Sequence, residues 1–479
     1  MLQGLKYLLR VFLCVFTVSC ATQKPRAVDI HEPPGSFSMR GDVVAPDAWW
    51  EAFGDEALND FMRQALADNF SLRSAWDRLA QAEAIAVRQG ADLFPEVNGL
   101  ASATRTRREN DDGRTIYRNE FSAGLVASYE LDVWGRVRSA REASALDAAA
   151  SAEQVQSAAI TLAAEIATVW MQRIEQSAQV ELLQRQLETN DRILAVLNQR
   201  FRSGQSGAVD VLQQEQLVEA RRGDLASAKA RLTVLENQLA VLGGRPAGTE
   251  LPAVSALPGL PPVPVVGVPA DVIARRPDMR RAYHRIAASD QRVAAAVADR
   301  FPRVSITART SSTEENIDDL FSNWISSLAA NLIGPIIDGG SRRAEVSRTR
   351  AALSEAINDY RQTLLVSLAE VENSLAREAR QRELLDSLRR QLELATQVSG
   401  RLRDRYLGGN EDFIRVLTAD LSQQALERNV ISADRELLEI RIGLYRAISG
   451  HLPVERPEPA TLKARSIEQR DGNPANEEI

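Results

Sequence analysis

Two periodicities divide this chain. Between Phe121 and Val133, apolar and polar positions alternate. Phe121, Ala123, Leu125, Ala127, Tyr129, Leu131 and Val133 fall on one side, and Ser122, Gly124, Val126, Ser128, Glu130 and Asp132 on the other. A period of two predicts a strand with one apolar and one mostly polar face. Val304, Ile306 and Ala308 against Ser305, Thr307 and Arg309 repeat the pattern more briefly. Weaker strand candidates lie at Val97 to Ala103 and Trp324 to Leu332, and Asp112-Gly113 supplies a turn ahead of the first run. Elsewhere the period is helical. Val180, Leu183, Leu187, Leu194, Leu197 and Phe201 follow heptad spacing, as do Leu385, Leu388, Leu392, Ala395, Ser399, Leu402 and Tyr406. A shorter partner stripe runs through Leu225, Leu232, Leu235, Leu239 and Leu242. Stripes of this kind specify coiled-coil packing. Neither 137–202 nor 341–399 holds a proline or glycine. Helices of ~60 residues would reach ~90 Å, too long for a compact domain.

These elements occur twice. Leu72 to Ala80 matches Met279 to Ala287, and Phe94-Pro95 matches Phe301-Pro302, both at an offset of 207. Arg200-Phe201, Gly204 and Val211-Leu212 match Arg405-Tyr406, Gly409 and Val416-Leu417 at an offset of 205. Each half therefore predicts a helix (72–93, then 279–300), a Phe-Pro step into a hairpin, and two long helices joined at Ser203-Gly204 or Gly408-Gly409-Asn410. The expected organisation is a first repeat at 67–244 with its hairpin near 96–134, and a second at 271–452 with its hairpin near 303–338. Between them, 245–270 carries seven prolines and predicts an extended connector, while 453–479 predicts a flexible polar tail.

Composition narrows the function. Residues are 44% hydrophobic, 26% charged and 5% aromatic, with a net charge of -7 and no basic stripe, which disfavours nucleic acid. The cysteines, Cys14 and Cys20, both precede residue 21, and His31, His284 and His451 are scattered. No metal-ligand spacing, phosphate loop or nucleophile–base constellation is present, so neither a cofactor nor enzymatic activity is expected.

The first nineteen residues read as a secretory signal: Lys6 and Arg10, then a short apolar run from Val11 to Val18. Ser19-Cys20 is similar to a lipobox, which would acylate Cys20 and make 20–66 a lipid-anchored N-terminal segment. Thr17 departs from the usual aliphatic residue there, and an ordinary signal peptide that happens to contain a cysteine is the alternative. Ala21, rather than Asp, fits sorting to the outer membrane. No later apolar run reaches ~18 residues, so a spanning structure would have to be a closed β-barrel. Two hairpins provide four strands, whereas barrels begin at about eight, so several copies would share one barrel. A soluble sheet with one buried face is the bland reading of alternation alone.

Several motifs together resemble the TolC-like outer-membrane factors, in the lipoprotein branch that serves resistance-nodulation-division pumps. They are Trp49-Trp50 with Phe53-Gly54-Asp55 and Leu58; Asn69, Leu72, Ala75 and Arg78-Leu79; Glu130 to Arg136; Arg275 to Met279 with Phe301-Pro302; and Gly334 to Gly340. The resemblance implies a homotrimer with a twelve-stranded barrel and a twelve-helix periplasmic tunnel. It also implies an adaptor (membrane fusion) protein and an inner-membrane pump docked at the far tip, the duct itself being a passive exit for drugs or other small molecules. The family's tip gate maps near Arg405-Tyr406 and Gly409. Where the family often has Asp, this chain has Thr418 and Arg415; Asp210 keeps an acid in the first repeat, with Glu411, Asp412 and Asp420 nearby. The bland reading of these residues is solvated charge at helix ends. Two other functions stay open: the outlet of a type I secretion system, and a non-channel periplasmic coiled-coil scaffold lipoprotein.

Overall fold

The computed structural model describes residues 35–457, save 39–40, 42–45, 110, 254–255 and 267–268. The proposed signal, Cys20 and most of the tail lie outside the described residues. After a short 3-10 helix at Trp49–Phe53 come α1 (Glu56–Asp68), α2 (Phe70–Ala91), β1 (Glu96–Glu109), β2 (Thr115–Leu131), α3 (Arg136–Arg202) and α4 (Ala208–Leu242). The second half comprises α5 (Pro269–Arg275), α6 (Pro277–Ala298), β3 (Arg303–Glu314), β4 (Ile325–Ile333), α7 (Ser341–Leu407) and α8 (Phe413–Ile448).

Helices α3 and α7 each run 67 residues, ~100 Å, and α7 continues through Gly400 because its packing outweighs the ~1 kcal/mol helix cost of one glycine. Near the sheet, α2 and α6 lie against the first parts of the long helices; beyond the middle, α4 and α8 take their place. On either side of the middle, four helices thus run side by side. No helix among the described residues is long and apolar enough to cross a membrane.

The main core lies where these sets of helices meet. Trp49 stacks on Tyr445 with centroids 5.5 Å apart, and Trp170, Met62, Leu239 and Ile442 are buried around them. Asp55 caps α1 through Leu58 N–H (3.1 Å) and accepts from Trp170 Nε1 (2.9 Å). Asn69 caps α2 through Leu72 N–H and donates to Leu242 O at the end of α4. Within the N-terminal segment expected at 20–66, the 3-10 turn and most of α1 form because Trp49, Trp50, Phe53 and Phe61 fill the core. The connector is packed as well. Arg173 on α3 donates to Pro252 O (2.7 Å), and Arg441 on α8 donates to Pro262 O (2.6 Å) and to Pro261 O. α5 begins at Pro269, inside the expected connector, because proline suits the first helical turn. Past Pro453, where a loose tail was expected, Val454 packs on the core and Arg456 pairs with Glu83 at 2.9 Å.

Candidate channel wall and helical tip

The four strands form one antiparallel sheet in the order β1-β2-β3-β4. Register assigns its faces. Val97, Ala127 and Ala308 are opposite one another, with Leu328 next to Ala308; Tyr129, Ile306 and Ala330 form another row, and Leu131, Val304 and Leu332 a third. The other face carries rows such as Ser102, Ser122 and Thr313, or Glu130, Ser305 and Asn331. Ser102 and Ser122 are hydrogen-bonded on it at 2.7 Å. From Leu131 to Phe121 the apolar face rises ~33 Å along the strand, ~25 Å at barrel tilt, the height of a barrel's lipid-facing band. Every residue of β1 and of β4 is exposed, and each strand has a neighbour on one side only. Two long, unprotected, partly apolar edges invite pairing with another chain.

The junctions between sheet and helices repeat. After β2, Asp132 accepts from the N–H groups of Val137 and Arg138, both at 2.9 Å; after β4, Asp338 accepts from Gly340 and Arg342. Burial presses the Asp132 carboxyl upward, but the Arg138 and Val137 N–H groups and the Arg138 guanidinium outweigh it, so its pKa lies below the ordinary aspartate value. The Asp338 carboxyl is held low chiefly by the Gly340 and Arg342 N–H groups. Trp134 stacks on Phe301 at 4.9 Å and donates to Pro302 O at 2.7 Å, fastening the end of the first hairpin to the Phe-Pro step of the second. Pro95 and Pro302 each precede a strand, as predicted.

At the opposite end, both helix pairs turn in the same way. Gly204 (φ 73°) and Gly409 (φ 75°) take left-handed conformations. Gln205 N–H donates to Arg200 O and Asn410 N–H to Arg405 O, closing Schellman-type caps that disfavour any side chain at the glycine. The two tips pack together through Leu197, Val211, Leu217, Phe413 and Leu417. The Arg200 guanidinium lies 4.8 Å from the centre of the Tyr406 ring, joining the repeats.

This duplicated arrangement has known counterparts. A family model described as outer membrane efflux protein matches residues 61–245 and 268–450. The chain belongs to the outer membrane efflux protein family. It is 31% identical over 428 residues to the pyoverdine export outer membrane protein OpmQ of Pseudomonas aeruginosa, covering 86% of this chain and 89% of that protein. It is 30% identical over 430 residues to the toluene efflux pump outer membrane protein TtgI of Pseudomonas putida, covering 87% and 90%. The solved outer-membrane channel OprN superposes with a TM-score of 0.80 at 26% identity, over 88% of this chain and 98% of that one. The fold is that of a TolC-like outer-membrane channel, and the chain is an outer-membrane component of an efflux system.

Within this efflux-protein fold the candidate tip residues fall into distinct surroundings. Asp210 accepts from Gly207 N–H (3.2 Å) and Ser206 Oγ (2.9 Å), capping α4. Glu411 is clasped by Arg415 at 3.0 Å and Arg405 at 3.7 Å, and its side chain is only 7% exposed. Tyr406 packs on Phe413, Asp412 is exposed, and the Thr418 hydroxyl donates to Ile414 O within its own helix. Asp420 is buried between α7 and α8, accepting from Ser399 Oγ and from Arg403 at 3.0 Å. Arg405, Glu411 and Arg415 are thus brought together, while Asp210 and Asp420 are engaged elsewhere.

Sequence reasoning missed a set of polar clamps. Gln176 donates to Ala228 O (3.0 Å) between α3 and α4, and Gln381 donates to Ala433 O (3.1 Å) between α7 and α8, positions 205 apart. Arg173–Glu236 and Glu378–Arg441 occupy a second equivalent pair of sites with acid and base exchanged. The offset already found in the sequence would have exposed both, had polar positions been compared as well as landmarks.

Proposed function

We propose that three copies of this chain close one continuous duct. Four strands per copy make a twelve-stranded barrel, and four helices per cross-section make a twelve-helix tunnel on its periplasmic side. The observation that carries this reading is the sheet: two-faced, matched in height to a membrane, and open along both edges. The polar face lines the pore and the apolar face meets lipid. Cys20, acylated, anchors each copy in the outer membrane.

The duct is a passive exit for small molecules and carries no catalytic step. An inner-membrane pump supplies the energy, and a periplasmic adaptor docks at the tips around Gly204 and Gly409. Relatives named for pyoverdine, toluene and antibiotic export support small exported compounds as cargo. The gate lies where Arg200 meets Tyr406 and where Arg405 and Arg415 hold Glu411. These contacts are between side chains, so they can open without unfolding a helix.

The test joins two measurements. The purified mature protein should migrate as a heat-modifiable oligomer in detergent and conduct ions in planar bilayers, and deleting its gene should raise susceptibility to at least one exported compound. A monomeric product, soluble without detergent and silent in bilayers, rejects the duct.

A further inference from the structure

The outer end of β1 and the β3–β4 tip carry opposite charge, although the turn between β1 and β2 is itself acidic, with Glu109, Asp111 and Asp112 against Arg114. Along the edge strand β1, positions 104–108 hold Arg105, Arg107 and Arg108 and no acid. The β3–β4 tip holds Glu314, Glu315, Asp318 and Asp319, and no lysine or arginine occurs from Thr310 to Ser341. The register shows how the tips stand. Pairing of β2 with β3 ends at Phe121–Glu314, whereas pairing of β1 with β2 continues to Glu109–Thr115. The first hairpin therefore projects past β3 by six residues, ~20 Å, and the acidic tip stands beside it. On the β2 side the charges already meet, Arg118 with Glu315 at 3.0 Å. On the β1 side, Arg105, Arg107 and Arg108 form no ion pair among the described residues, and neither do Asp318 and Asp319. The acids of the projecting part of the first hairpin, Glu109, Asp111, Asp112 and Glu120, all lie outside 104–108.

We propose that Asp318 and Asp319 of one copy pair with Arg105, Arg107 and Arg108 of the next across the β4–β1 seam. The proposal rests on the shared-barrel reading. In a closed ring, each projecting first hairpin has an acidic tip on either side: its own beyond β2, and its neighbour's beyond β1, next to the basic stretch 104–108. The intrachain Arg118–Glu315 pair shows that such tips lie within ion-pair distance when their strands are adjacent. A second copy is thus the occupant that charge complementarity selects for the β1 edge. The seam pairs set the order of copies at the outer rim and resist edge pairing with unrelated strands, whose charges would not match.

The experiment follows dissociation of the detergent-purified oligomer in warm dodecyl sulfate. The triple variant Arg105→Glu/Arg107→Glu/Arg108→Glu places like charges at every seam and should dissociate about tenfold faster than wild type. Asp318→Arg/Asp319→Arg alone should behave similarly, which keeps the test valid if the triple variant does not assemble. All five changes together should return the rate to near wild type. The differences should shrink at ~1 M salt, where the screening length is ~3 Å. Unchanged rates in both reversals overturn the proposal. So does an arginine reversal that destabilises without rescue by the acid reversal, which would assign those arginines to phosphorylated lipid headgroups instead. A wild-type protein that never oligomerises rejects the shared barrel itself, a result distinct from a failed charge swap.

Discussion

Replacing Arg441 by Met should open the connector between the repeats. Arg441 is fully buried and makes two bonds to Glu378, at 2.6 and 2.9 Å, and two to the carbonyls of Pro261 and Pro262. Glu378 is 3% exposed, so loss of its partner strands a carboxylate in the core. Breaking such a pair costs about 3–5 kcal/mol. Arg382, half in solvent, still reaches Glu378 at 2.6 Å and places the expected cost near the lower end. About 3 kcal/mol corresponds to a roughly hundredfold rise in an opening equilibrium. The equivalent site in the first repeat is an internal control. There Arg173 bonds Pro252 O and Glu236, but Glu236 is 39% exposed and water can take over its charge. Arg173→Met should cost only about 1–2 kcal/mol. The assay is native-state proteolysis of residues 251–264, under conditions where cleavage follows the open population. Cleavage should accelerate far more in Arg441→Met than in Arg173→Met. Glu378→Met added to Arg441→Met should recover much of the loss, because the stranded charge is gone. Equal acceleration at the two sites, or no recovery in the double variant, would refute the argument from burial.

Three further outcomes follow from the geometry. Asp132 and Asp338 titrate below ordinary aspartate, so their contribution is complete above the unfolded pKa of ~4 and is lost as pH falls through the lower folded values; thermal unfolding between neutral pH and pH ~3 should therefore show less acid destabilisation in Asp132→Asn/Asp338→Asn than in wild type, and parallel curves would contradict the cap assignment. Gln176→Ala and Gln381→Ala each remove one clamp between partner helices and should cost about 1 kcal/mol apiece in denaturant titrations, similarly in the two repeats. Arg415→Asp removes one of the two arginines on Glu411 and adds an acid at the tip, so bilayer reversal potentials should shift toward cation preference, whereas unchanged selectivity would place Arg415 off the ion path.

Much of the architecture was legible in the sequence because its signals are local. A period of two marked β2, which runs Thr115–Leu131, and the uninterrupted stretches at 137–202 and 341–399 marked α3 and α7. The tip glycines were found by repetition, and their left-handed φ values explain why glycine stands there twice. Local pattern could not tell a free acid from an engaged one. Asp210, Glu411 and Asp420 look alike in sequence, yet one caps a helix, one is clasped by two arginines and one is buried against Ser399 and Arg403. Those differences depend on which helices meet, which tertiary packing alone decides.

The sequence by itself determined strands, helices and duplication, because each is written in spacing within a few turns or in short repeated motifs. Tertiary structure decided what joins across distance: β2 to β3, Trp134 to Pro302, Arg200 to Tyr406, and the connector to Arg173 and Arg441. These contacts link residues up to about two hundred positions apart, and long-range closure leaves no periodic trace in the chain. It also decided that both edges of the sheet stay open. Backbone hydrogen-bonding groups on an unpaired strand edge demand a partner, which local spacing along the chain does not specify.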